Sequence, residues 1–483
     1  MRASFLLSMA SILLSVLPLR GQSQTSHPTV ALRAAPYQRF PAPTDSNSPA
    51  HWDGRTLYLF NSSFWPVRST GGDLFTLGDA RPVSIRTGLP GGIWLEASFR
   101  DQNGTLYGWY HNEPPGVCRP GLTAPRIGAL RSTNNGLNWQ DLGLVLETPP
   151  GTNDCGTRNF FFAGGNGDFS VLLDAEGQYL YFFFSNYPAK ISEQGVAVAR
   201  LRYQDRNDPA GKAWKWFNGS WTKPGLGGHV TPVFRVTGDW HGPNPDAFWG
   251  PSIHWNHHLG RYVLLLNRAI DPDWTQEGVY VSFHHDLSDP TGWIRPGKIF
   301  DGGGWYPQVI GTDAALKETD KLAGASARFF LRGESSYLIH FLNPGEPEPP
   351  AGPNLIDFEG RPDGPLSGEY GGLDWGQGVW ATGGPWAGVP STNVFLNTGN
   401  AVPASGRISG GTGGAFLLQS LVASADGSWT LTLSDSNGQS FQGSFDANEA
   451  ATVVPGWTLP SQWVEVHSSI GWNAVFDSIT YFR

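Results

Sequence analysis

Gln178-Tyr179-Leu180-Tyr181-Phe182-Phe183-Phe184 is an uncharged, aromatic-rich run preceded by Gly177, and it reads as a short β-strand. The same kind of segment returns along the first two thirds of the chain. It appears as Arg55-Thr56-Leu57-Tyr58-Leu59-Phe60, as Gly104-Thr105-Leu106-Tyr107-Gly108-Trp109-Tyr110 and as Arg261-Tyr262-Val263-Leu264-Leu265-Leu266. Phe329-Phe330-Leu331 or Tyr337-Leu338-Ile339-His340-Phe341 makes a fifth. Each copy is preceded by a strand with a polar or acidic residue near its start and followed by one opening on Gly. Short strands repeating at roughly 40–50 residues are the signature of a β-propeller. Such a fold gathers one strand per blade around an axis, so acids distant in sequence can share one pocket.

Composition agrees with an all-β chain. Among 483 residues there are 63 Gly and 38 Pro, aromatics make up 13%, and extended helical periodicity is absent. A net charge of −9 argues against a nucleic-acid partner, which requires a basic patch. Residues 1–22 read as a signal peptide: Arg2, an apolar stretch from Phe5 to Leu17, then Gly21-Gln22-Ser23. That stretch is short for a membrane span and no later segment replaces it. A secreted or periplasmic protein is expected, and there its two cysteines, Cys118 and Cys155, would pair as a disulfide.

The expected organisation is a five-bladed propeller over residues 23–344, a Pro-rich linker over 345–353 and a small antiparallel β-sandwich of jelly-roll type over 354–483. The blades are placed at 45–87, 93–148, 164–240, 246–300 and 302–343, after a short lead over 25–43. Blade three carries an insertion at 203–228 of the kind that often forms a functional loop. In the sandwich region Trp429-Thr430-Leu431-Thr432-Leu433 alternates cleanly, while Trp375, Trp380 and Trp386 are candidates for exposed ligand contacts or for packing.

In a propeller the inner strand of each blade starts at one face, and the loop between its second and third strands returns there. This rule collects Asp45, Glu96, Asp168, Asp246 and Trp305-Tyr306 from inner-strand starts. From return loops it collects Asn61, His111, Glu113, Asn186, Tyr187, Arg268 and Glu277. So many acids aimed at one funnel exceed what folding needs, because a buried carboxylate is costly unless paired. Structural alternatives exist for each: Asp45 could cap the turn Ser46-Asn47-Ser48-Pro49, and Glu96 could be an ion-pair partner for an arginine. His257-His258 falls on the opposite face.

Two resemblances sharpen the reading. Ser132-Thr133-Asn134-Asn135-Gly136-Leu137-Asn138-Trp139 resembles the Asp-box turn of sialidase-like propellers, a structural turn with Gly136 at positive φ and Trp139 folded back. Asp45-Ser46-Asn47-Ser48-Pro49-Ala50 before Leu57-Tyr58-Leu59-Phe60, Asp168-Phe169-Ser170-Val171-Leu172-Leu173-Asp174, and Gly250-Pro251-Ser252-Ile253-His254-Trp255 resemble family 43 and related furanosidase-type glycoside hydrolases. The resemblance implies Asp45 as general base or nucleophile and Asp168 as the residue that tunes the acid. Where that pattern has its catalytic acid, before Gly-Pro, this chain has Trp249, so Glu113 or Glu96 is expected to replace it. Asp246, Glu277 and His111 are further substitutes.

The expectation is an exported glycoside hydrolase acting on a poly- or oligosaccharide through paired carboxyl groups, Asp45, Asp168, Glu96 and Glu113. His111, Trp249, Asp246, Arg268, Glu277, Trp305 and Tyr306 would contact substrate. No cofactor is required and no metal ligands are assigned, although a structural divalent cation at the axis is compatible with the carboxylates. A secreted carbohydrate-binding protein without catalysis is the alternative, with Trp249 as its argument. A sialidase-like enzyme ranks below both, because Arg126, Arg268 and Arg328 are not grouped by spacing.

Overall fold

A computed structural model describes residues 27–349, 354–399, 401–411, 414–457 and 459–482. The signal-peptide expectation for residues 1–22 lies outside the described residues. Five sheets, built mostly of antiparallel strand pairs, form the blades of a propeller, and two further sheets follow them.

The first strands of the blades are Ala50–Asp53, Gly92–Arg100, Asn166–Leu173, Ala247–Asn256 and Pro307–Gly311. They contact one another around the axis. The aromatic strands come second, as Thr56–Ser63, Leu106–Glu113, Tyr179–Asn186, Arg261–Ala269 and Ser326–Leu331. Their lack of polar alternation has a simple cause. Phe182 and Phe184 pack toward Trp109 of blade two, while Tyr181 and Phe183 pack toward Leu264 of blade four. A strand sandwiched between two blades has no wet face, so both sets of alternating positions are apolar.

Blade five is closed by the N-terminal segment. Thr29–Arg39 pairs antiparallel with Glu334–Leu342, Val30 opposite Phe341 and Leu32 opposite Ile339. The lead segment is therefore the outer strand of the last blade. Such closure joins the two ends of the propeller. The axis itself is threaded by the buried segment after Asp45. Asn47 Nδ2 donates to Phe169 O and to Pro251 O, each at 3.0 Å, and Ser48 exchanges two hydrogen bonds with Gln308. One short stretch thus ties blades three, four and five to blade one.

The insertion in blade three is an ordered hairpin, Trp214–Phe217 with Ser220–Pro224, rather than a free loop. Its Lys215 is fully buried and donates to Glu147 O, Asn166 Oδ1 and Gly228 O. Burial moves this ammonium down to about 7. The described part of the Pro-rich linker is also fastened: Arg33 donates to Pro349 O and pairs with Glu348 at 2.9 Å.

The C-terminal sheets have seven and six strands and enclose one core. Trp375 and Trp380 are each 1% exposed within it, so they pack and cannot serve as surface contacts. Trp386 instead stacks on the exposed Trp472, with ring centroids 5.1 Å apart. His257 and His258 pair with Glu318 and Glu346.

The turn that resembles an Asp box staples blade one to blade two. Ser132 Oγ accepts from the amides of Asn134 and Gly136, and Asn135 Nδ2 donates to Asp53. Gly136 has φ 75°, and a Cβ there would lie 2.3 Å from Phe60 Cζ. Gly136→Ala should therefore lower stability by on the order of 2 kcal/mol, read as a lower midpoint in urea denaturation.

Candidate active site

Three inner strands carry a β-bulge at matching heights. Glu96 is the extra residue between the pairs Leu95–Tyr110 and Ala97–Trp109. Asp168 is the extra residue between Gly167–Ser185 and Phe169–Phe184, at φ 43°. In blade four the bulge holds Gly250 and Pro251, between Trp249–Asn267 and Ser252–Leu265. A bulge re-aims a side chain out of the pleat. In blades two and three that side chain is an acid; in blade four it is none.

His111 and Glu113 lie two residues apart near the end of one strand, hence on one face. The imidazole stands between two carboxylates: Nδ1 is 3.2 Å from Glu96 Oε1 and Nε2 is 3.2 Å from Glu113 Oε1. Glu96 Oε2 accepts the Phe169 amide at 2.7 Å. Asp168 accepts from the Tyr187 hydroxyl at 2.5 Å and from the Tyr306 hydroxyl at 3.4 Å. Glu96, His111 and Asp168 are 1%, 3% and 2% exposed.

Burial raises the Glu96 carboxyl against the opposing effect of His111. Burial also takes Asp168 up to about 7, with His111 opposing and the charge of Glu96 adding. Burial pushes His111 down, but its contacts with Glu113 and Glu96 outweigh that and hold the imidazole well above its usual value. A protonated ring is attracted to both carboxylates at 3.2 Å, while in the neutral ring Nδ1 can accept from the Asp168 amide, also 3.2 Å away.

Aromatic rings seal this cluster. Tyr187 stacks on Trp240 at 5.5 Å and Trp240 on Trp274 at 4.8 Å, while Trp94 and Phe162 flank His111. Trp249 is fully buried in the same group, donating to Gln276 Oε1 at 3.1 Å. The expectation that Trp249 contacts substrate is therefore corrected: its ring packs against Trp274, Trp305 and Tyr306.

Above the seal, three charged groups remain open to solvent. The side chains of Asp45, Glu113 and Arg332 are 34%, 30% and 57% exposed, and Arg332 lies 3.3 Å from Asp45. Burial raises the Asp45 carboxyl, with Arg332 opposing and Glu113 adding. Trp305 is half-buried beneath the Arg332 guanidinium, 5.6 Å from its ring centre.

Asp246, Arg268 and Glu277 form a separate group on blade four. Arg268 grips Asp246 at 2.7 and 2.9 Å and holds its carboxyl below the usual range, while Glu277 accepts from Tyr280 and pairs with Lys298. Their hydrogen bonds and ion pairs run among one another and with Thr237, Tyr280 and Lys298, and Lys298 pairs in turn with Asp301. Arg332 went unnoticed in sequence. It follows the second strand of blade five, so the return-loop rule that found Glu113 would have found it too. Tyr187 was collected by that rule, and its partner Trp274 lies in the blade-four return loop between Arg261–Ala269 and Gln276–His284, so the rule would have reached it as well.

Glu96, His111 and Asp168 also present ligand atoms within 4.8 Å of one another, a candidate triad for a cation. The donor set fits a hard divalent ion poorly. Such ions take six or more oxygens, and here two carboxylate oxygens are occupied by the Phe169 amide and the Tyr187 hydroxyl. The imidazolium itself supplies positive charge between Glu96 and Glu113.

Cys118 and Cys155 form a disulfide, with Cα atoms 5.5 Å apart. It links the loop after Glu113 to the segment leading into the strand of Asp168.

No family model matches the chain, and no curated protein matches it. Among solved structures, it is similar to an exo-β-1,3-galactanase from Phanerochaete chrysosporium at 14% identity, covering 94% of this chain and 100% of that one, with a TM-score of 0.41. An exo-1,5-α-L-arabinanase from a bovine ruminal metagenomic library gives 14% identity over 63% and 94% of the two chains, with a TM-score of 0.38. An α-L-arabinanase from Cellvibrio cellulosa gives 14% identity over 60% and 91%, with a TM-score of 0.37. The five-bladed architecture rests on the sheets described above.

Two outcomes follow from the site. Asp168 is raised to about 7 when folded, so the native state binds the extra proton between about pH 4 and 7. Stability present below pH 4 is then lost as pH rises through 7. Asp168→Asn should flatten that loss and match or exceed wild-type stability at pH 8, measured by thermal melts across pH. Reducing the disulfide should cost about 3–4 kcal/mol for a loop of this length, seen as a lower Tm with dithiothreitol.

Proposed function

We propose that this chain is an exported glycoside hydrolase acting on a poly- or oligosaccharide, with Asp45 and Glu113 as the carboxyl pair that meets the scissile bond. The observation that carries the reading is the two-tier arrangement at the axis. Two partly exposed carboxyl groups stand at the mouth, backed by a dry Glu96–His111–Asp168 cluster. Glycoside hydrolysis needs two carboxyl groups in different protonation states.

Asp45, held above its usual value by burial, is the group suited to carry the proton to the leaving oxygen. Glu113, with His111 directly behind it, supplies the carboxylate. This reverses the role that the sequence resemblance implied for Asp45. Glu96 and Asp168 are sealed below the aromatic rings, so they act through His111 and the two tyrosine hydroxyls rather than on substrate. Among similar solved structures, an exo-β-1,3-galactanase was crystallised with galactose and a variant of it with β-1,3-galactotriose, consistent with a saccharide as the class to test. Export is supported by the apolar stretch near the N-terminus and by the disulfide.

A second reading has one specific observation in its favour. Blade four contributes no acid to the axis, and its Trp249 is part of the seal. A carbohydrate-binding protein without hydrolysis would have that feature too.

One experiment separates them: product release from arabinan, galactan and xylan panels by wild type, Asp45→Asn and Glu113→Gln. The hydrolase reading expects release by wild type and a loss of about a hundredfold or more in each variant. Retained glycan binding with no release from any substrate would leave the second reading standing.

A further inference from the structure

The side of the propeller where blades four and five meet is not closed by packing. A cavity of about 500 Å³ lies next to the mouth, bounded by Asp273, Gln276, Gly304, Trp305 and Arg332. A second of about 500 Å³ shares Gly303, Gly304 and Arg332 with it and extends to Phe300, Tyr337 and Glu359. A third of about 500 Å³ shares Phe300 and Tyr337 and reaches Lys298 and Ile299. A fourth, of about 1030 Å³, shares Lys298 and Ile299 and ends among Val30, Phe283, Arg295 and Glu346. Each cavity shares wall residues with the next, so the four lie in a row along the seam from the mouth.

Blades diverge outward in any propeller, and a gap alone means little. Three features distinguish this one. Its upper floor includes the bare backbone of Gly303 and Gly304, the former at φ 91°. Its walls mix ring edges (Trp305, Phe300, Tyr337) with hydrogen-bonding groups of both signs (Arg332, Glu334, Lys298) and no single-sign field. Its upper end is Arg332, which is also the ion-pair partner of Asp45.

We infer that the seam between blades four and five is a binding trench for a neutral oligosaccharide chain, whose sugars extend outward from the mouth along the seam toward the strand Thr29–Arg39. A chain of sugar rings needs a long groove, flat apolar surface for its CH faces and scattered donors and acceptors for its hydroxyls. The trench offers these, and its continuity with the mouth lets one chain occupy both. The inference rests on the hydrolase reading for its starting point. It implies that affinity rises with chain length, whichever sugar is bound.

Two positions test this without replacing any charged group of the mouth. Gly304 lacks a positive φ, and a Cβ there meets only ordinary contacts at 3.5 Å or more. Gly297, on the blade-four outer strand, has open space around a Cβ. Gly304→Leu and Gly297→Leu would block the trench near its top and its far end. Binding of galacto-, arabino- and xylo-oligosaccharides, from disaccharides upward, is measured by calorimetry for the wild type and both variants, alongside product release.

The expected result is a wild-type affinity that grows about fivefold or more from short to long members. Gly304→Leu should abolish that gain and Gly297→Leu should curtail it for the longest chains. Disaccharide binding and the thermal midpoint should be unchanged in both. Product release with length-independent affinity, or a length gain that survives both substitutions, overturns the trench and leaves the hydrolase reading intact. A length gain lost in the variants with no product release keeps the trench and overturns the hydrolase. No binding of any member overturns both.

Discussion

The interior of this propeller depends on His111 standing between two carboxylates. A lone carboxylate moved from water into a dry interior costs several kcal/mol, and two or three together cost more. An imidazole 3.2 Å from Glu96 on one side and from Glu113 on the other turns mutual repulsion into attraction. Asp168 is accommodated differently. It takes hydrogen bonds from two tyrosine hydroxyls and rises to about 7, so near neutrality it spends much of its time uncharged. The aromatic stack of Tyr187, Trp240 and Trp274 is the other half of this arrangement. By excluding water it strengthens each charge–charge contact beneath it, and it makes loss of any one partner correspondingly costly.

The threaded segment after Asp45 explains why the cluster is held so tightly. Asn47 and Ser48 bridge blade one to blades three, four and five through hydrogen bonds at the axis. A residue placed just before that segment cannot wander far, and Asp45 is that residue. Its position at the mouth is thus a consequence of how the propeller is closed at its centre. The strand Thr29–Arg39, paired into blade five, anchors the chain just ahead of that segment.

Much of this was legible in sequence, and the reasons for the remainder are physical. The five aromatic strands announce themselves because packing between two blades forces both alternating faces to be apolar. Glu96, Asp168, His111 and Glu113 were found because strand order alone assigns strand starts and return loops to one face. Thr29–Arg39 was hidden because its partner lies some three hundred residues away and its own pattern, half apolar, is that of any edge segment. The bulges at Glu96 and Asp168 leave no sequence mark, yet they decide that those acids turn inward beneath the seal rather than outward to substrate. Trp375 and Trp380 could have served as surface contacts or as packing, and the sandwich uses them as packing, because a core built from short strands needs large rings to fill it.

The blade-four bulge shows how chemistry has been distributed over this frame. Blades two and three place an acid at the bulge; blade four places Gly250-Pro251 there and gives the preceding position to Trp249. An indole at that point lends the seal a large, rigid surface and one satisfied donor, Nε1 to Gln276. It also leaves no carboxyl group in the strand. The groups left to act on a ligand, Asp45, Glu113 and Arg332, sit at strand ends and loops above the seal, where side chains can differ without disturbing blade packing. Strand positions here set protonation and dryness, and loop positions meet the ligand. On that division, a change in a loop should alter what is bound, whereas a change in the buried tier should alter the pH at which the site works.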